Sequence, residues 1–98
     1  MEYSKKEIKD CLNRKNFQYV IEGLIDESIF DKAKKRSFNV QIFDARHLLK
    51  SSKVLFKIVD EKEILYATGA IGLDIIKVSC AKGNLHLLDL FEEVLDAK

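Results

Sequence analysis

Ile64-Leu65-Tyr66-Ala67-Thr68-Gly69-Ala70-Ile71-Gly72-Leu73-Asp74-Ile75-Ile76-Lys77-Val78 decides the fold class of this 98-residue chain. Both ends of the stretch are apolar and rich in β-branched and aromatic residues, which predicts strands over 64–67 and 73–78. Gly69 and Gly72 between them predict a tight reversal in which at least one glycine takes a positive φ. Upstream, residues 54–59 form another strand, joined through the hairpin connection Asp60-Glu61-Lys62-Glu63. Before that, Phe38, Val40 and Ile42 alternate with Asn39 and Gln41, the period of a half-buried strand. Downstream, residues 79–83 read as a loop. Asn84 can then cap a last helix whose face is Leu87, Leu88, Phe91, Val94 and Leu95.

The N-terminal third speaks less plainly. Ser4 and Glu7 have capping-box spacing, and Ile8, Cys11 and Leu12 make an apolar stripe, so a short helix is expected over 4–13. Phe17, Tyr19 and Ile21 alternate as in a strand, while Phe17, Val20, Ile21 and Leu24 also fit a helix. Gly23 tips the reading toward a bent strand. Residues 31–36 read as a charged connection. The expected fold is α+β: one domain over 1–98, a small barrel or curled antiparallel sheet with a short helix at each end.

Composition narrows the function. The chain holds 17 Lys and Arg against 16 Asp and Glu, a net charge of +1, so it is no polybasic tail. No apolar run is long enough to span a membrane, and residues 1–6 lead into no secretory signal. Cys11 and Cys80 have no second ligand at metal spacing, which predicts reduced thiols in a cytoplasmic protein and no metal. Charge is nevertheless divided unevenly, +5 over residues 1–57 and −4 over 58–98. The front half can present a basic face that the total conceals.

The order of these pieces resembles the C-terminal domain of the methionyl-tRNA formyltransferase and sugar formyltransferase family. Asn39-Val40-Gln41-Ile42-Phe43-Asp44-Ala45-Arg46 stands where that family has Lys-x-Lys-Ile-Trp-x-Ala-Arg. Residues 64–78 resemble its Ile-x-Val-x-Thr-Gly-x-Gly-x-Leu-x-Ile-x-x-Val run, with one extra residue between the glycines. Glu63 stands at a hairpin position where the family commonly has Gly, and the family's Asn-Pro-x-x-Pro-Gly turn has no counterpart in a chain without Pro. The resemblance implies an OB-like barrel that helps to hold tRNA through basic residues, without the family's catalytic domain. It also implies a partner, a separate formyltransferase catalytic domain.

The residues themselves carry no catalytic pattern. His47 and His86 lack metal or acid–base spacing, and Asp60, Glu61 and Glu63 read as solvated turn residues. Gly69 and Gly72 precede a strand rather than a helix, so they are not a phosphate loop. No cofactor is expected. The candidate RNA-binding residues are Lys34, Lys35, Arg36, Arg46, Lys50 and Lys53, against the plainer reading of a solvated charge run. Tyr66 and Phe43 are the candidates for base stacking. The expectation is a non-catalytic accessory module that binds RNA or tRNA weakly, with a protein-interaction module as the alternative.

Overall fold

The computed structural model describes residues 2–11, 13–43 and 54–96. The chain runs β1 (Tyr3–Cys11), β2 (Arg14–Ile21), α1 (Ser28–Lys35), β3 (Asn39–Phe43), β4 (Leu55–Val59), β5 (Leu65–Ala70), β6 (Ile75–Ala81) and α2 (His86–Asp96). A short 3-10 turn, Lys82–Asn84, links β6 to α2. The strands make one antiparallel six-stranded sheet in the order β1-β2-β6-β5-β4-β3. It is therefore an α+β fold whose sheet has two edges, β1 and β3, and does not close into a barrel.

The expected N-terminal helix is a strand. β1 pairs with β2 over Tyr3↔Ile21 to Ile8↔Asn16, and Asn13 at the turn takes φ 58, which Asn tolerates better than most residues. The clear alternation lies in β2, where Phe17, Tyr19 and Ile21 are buried. β2 recruits β1 by backbone pairing, and that tertiary demand overrides the local stripe of Ile8, Cys11 and Leu12. The charged connection is also corrected. Residues 31–35 belong to α1, with Ile29, Phe30 and Ala33 on its buried face. Asp26 starts the helix by accepting hydrogen bonds from the Ser28 amide and hydroxyl, and these hold its carboxyl below the usual range. Asn84 lies in the 3-10 turn rather than at the cap of α2, but the expected apolar face of α2 is largely the observed one: Leu88, Phe91, Val94 and Leu95 are buried.

Register assigns each strand residue to a face. Phe17, Tyr19 and Ile21 share one face with Ile76, Val78 and Cys80, with Leu65 and Ala67, and with Phe56 and Ile58. Those residues join the buried faces of α1 and α2 in a single core. Phe91 stands at its centre, with ring centroids 5.7 Å from Tyr19 and 6.4 Å from Phe38. Phe30 of α1 meets Phe56 at 5.4 Å. Both helices thus cover one face, and no described element covers the other.

Gly72 has φ 89 and donates to the Ile25 carbonyl, so the reversal expected at the glycines is made there. Gly69 lies inside β5, where a Cβ would come within 2.9 Å of Phe56 Cζ and 3.3 Å of the Ile75 carbonyl. Gly72→Ala and Gly69→Val are each expected to cost about 1–3 kcal/mol, the first through backbone strain and the second through overpacking. Urea melts of the two variants measure this, and parental midpoints would contradict it. Glu63 takes φ 57, a left-handed turn conformation that glycine adopts more readily than Glu.

Candidate nucleic-acid interface

The uncovered face of the sheet carries an ordered row of polar side chains. Opposed across the strands stand Lys6 and Gln18, Gln18 and Lys77, Lys77 and Thr68, Thr68 and Lys57, then Lys57 and Gln41. A lysine therefore recurs on every second strand, at a spacing of about 10 Å. None of Lys6, Lys57 and Lys77 has a carboxylate partner among the described residues. The next row holds Asn16, Ser79, Tyr66, Val59 and Asn39. No Asp or Glu occurs in either row, so this face is cationic although the whole chain is nearly neutral.

Tyr66 organises the centre of the face. The Arg14 guanidinium lies 4.8 Å from its ring centroid and the Lys57 ammonium 5.0 Å away. Arg14 is fixed further by donating to Ser79 Oγ at 2.7 Å, to the Ser79 carbonyl at 3.1 Å and to the Ile64 carbonyl at 2.6 Å. Tyr66 thus holds cations in place rather than offering a free ring. Phe43 and Leu55, opposite each other at the end of the face, are 52% and 51% exposed.

Of the residues expected to bind RNA, Lys34, Lys35 and Arg36 lie elsewhere. Lys34 and Lys35 are exposed in the last turn of α1, where cations complement the helix dipole. Arg36 caps that helix and turns toward α2, its Nε 3.6 Å from a Glu93 carboxylate oxygen. All three are on the helical layer, a sheet's thickness away from the lysine row. Arg46, Lys50 and Lys53 lie outside the described residues, as does His47. Lys6, Lys57 and Lys77 were legible in principle, because the latter two interrupt Phe56–Ile58 and Ile76–Val78 at outward positions.

Asp60, His86 and Cys80 stand apart from the lysine row. Asp60 accepts from the Ile64 and Leu65 amides at 2.7 and 2.8 Å and so shapes the hairpin turn. His86 is the exposed first residue of α2. Cys80 is a free, buried thiol, and burial pushes its pKa up despite the nearby Arg14 charge. Among the described residues no His, Cys, Asp and Glu cluster could hold a metal. No helix among them is long and apolar enough to cross a membrane.

On the covered side, Glu92 ties α2 to the β1–β2 hairpin. It accepts from Tyr3 Oη at 3.0 Å, Lys5 Nζ at 2.9 Å and Tyr19 Oη at 2.9 Å. Burial alone would raise its pKa, but the three hydrogen bonds and the Lys5 charge outweigh that and hold it below the usual Glu range. A depressed carboxyl pKa contributes stability above the unfolded value, near 4.3, and loses it as pH falls through the folded value. Glu92→Gln is expected to flatten the stability–pH curve below about pH 4.5, and Glu92→Ala to cost about 1–3 kcal/mol at neutral pH by leaving the buried Tyr19 hydroxyl unpaired. Urea melts at pH 7 and pH 3.5 check both. At the alkaline end, burial and Glu92 raise Tyr3 to about 12, so its contribution is full below pH 10 and lost as pH rises toward 12.

Searches against protein-family models, curated proteins and solved structures return no match to this chain.

Proposed function

We propose that this chain is a non-catalytic, cytoplasmic RNA-binding module that receives RNA, tRNA among its candidates, on the open face of its sheet. The observation that supports it is the row of Lys6, Lys77 and Lys57 with no carboxylate among the residues opposed to it. Side chains of that kind contact phosphates, and the interleaved Gln18, Thr68 and Gln41 donate to phosphate or sugar oxygens. Two copies packed face to face would set lysine against lysine, which argues against self-association through this row. The resemblance to the formyltransferase C-terminal domain enters here as a likeness of task, holding tRNA by basic side chains. The OB-like barrel of that family belongs to the same proposal and has an open sheet as its counterpart.

Three phosphate contacts give an affinity that falls with salt at a log–log slope of about −2 to −3. A labelled tRNA titrated at 50 and 200 mM salt should therefore bind roughly 20- to 40-fold more weakly at the higher concentration. No binding at 50 mM salt would remove the proposal. The reading then left is a protein-interaction module, serving a separate formyltransferase catalytic domain or another partner, and the exposed apolar end of the same face favours it next.

A further inference from the structure

The apolar end of the lysine face is a hollow of about 510 Å³, a size ordinary for a small-ligand site. Phe43, Leu55, Leu73 and Ile75 line it, 52%, 51%, 44% and 38% exposed. Lys57, Lys77 and Thr68 line the same hollow, so the apolar walls meet the cationic row directly. Phe43 and Leu55 sit two residues along their strands from Gln41 and Lys57, a separation of about 7 Å. A flat apolar group lying in this hollow would therefore carry any attached anion to Lys57 or Lys77.

We infer that this hollow seats one unpaired nucleobase against the Phe43 ring, with the adjoining phosphate on Lys57 and Lys77. The inference rests on the RNA reading and narrows it to single-stranded segments. Charge complementarity selects the occupant: the hollow is apolar, its rim is positive, and no Asp or Glu lines it among the described residues. An apolar protein anchor would leave both ammonium groups without a counter-charge. A paired base cannot enter, because its ring faces are stacked within the duplex. Phe43 has no ring partner among the described residues, whereas Tyr66 is already flanked by Arg14 and Lys57. Thr68 Oγ1 is the one side-chain hydroxyl among the described lining residues, so the seat accepts any base with little discrimination.

The test uses octauridylate carrying a single 2-aminopurine, whose fluorescence falls when the base stacks. Binding at 50 mM salt should quench it, and the same strand annealed to its complement should be neither bound comparably nor quenched. Phe43→Ala should bind about tenfold more weakly, lose the quench and keep the parental salt slope. Leu73→Ser lies outside every strand and should reproduce the loss even if Phe43→Ala were to loosen β3. Salt-dependent binding without quenching, or quenching that survives both substitutions, overturns the base seat and leaves the RNA reading standing. Failure of both octauridylate and tRNA to bind at 50 mM salt overturns the two together.

Discussion

Phe91→Ala is expected to cost about 3–5 kcal/mol. Phe91 is fully buried, and its ring meets Tyr19 from β2 and Phe38 from the approach to β3. Removing the ring would empty the space where α2 rests on the sheet, and two aromatic neighbours cannot both collapse into it without leaving their own contacts. A domain of this size has about 5–15 kcal/mol in total, so the loss would lower the melting temperature by roughly 15–30 °C. Leu90→Ala is the matched comparison: Leu90 is 40% exposed on the same helix and should shift stability by about 0.5 kcal/mol or less. Thermal and urea melts of both variants decide it. A Phe91→Ala protein as stable as Leu90→Ala would mean that α2 does not pack on the sheet as described.

That centre was largely legible in the sequence, because α2 and the middle strands state their periods openly. Leu88, Phe91, Val94 and Leu95 recur at helical spacing, and Phe56 and Ile58 flank Lys57 as a half-buried strand requires. β1 was not legible, since its core-facing positions Tyr3, Lys5 and Glu7 show no apolar alternation. Lys5 sits at the margin of that face, its ammonium over the Phe17 and Tyr19 rings and paired with Glu92. Those partners lie 12 to 87 residues away in the chain, and no local window contains them. α1 was hidden for a related reason. Its basic last turn reads as a solvated run until Ile29, Phe30 and Ala33 are seen to share one buried face. The candidate interface was half legible. The basic front half and two aromatics of the open face, the exposed Phe43 and the half-buried Tyr66, were visible as composition. Which cations stand together depended on register: Lys77 comes from the acidic half of the sequence and is placed opposite Gln18 and Thr68 only by the pairing of β6.

Register also fixes which charge reversal should matter most for binding. Lys57→Glu and Lys77→Glu, made together, remove two of the three phosphate contacts in the row and set two carboxylates beside the hollow. At about 0.7–0.9 in slope per contact, the loss of two weakens RNA binding by roughly 100-fold at 50 mM salt and roughly 10- to 20-fold at 200 mM. The remaining salt slope should fall to about −0.7 to −0.9, and repulsion from the new carboxylates makes these losses lower limits. Both side chains point away from the core, so the thermal melt should stay close to that of the parent; the one contact given up is that of Lys57 with the Tyr66 ring. Lys34→Glu with Lys35→Glu changes the total charge by the same amount, but on α1, across the sheet from the row. If net charge alone drew RNA to the protein, the two double variants would lose affinity equally. An interface on the open face requires the first pair to lose far more than the second, with its slope flattened and the slope of the α1 pair unchanged.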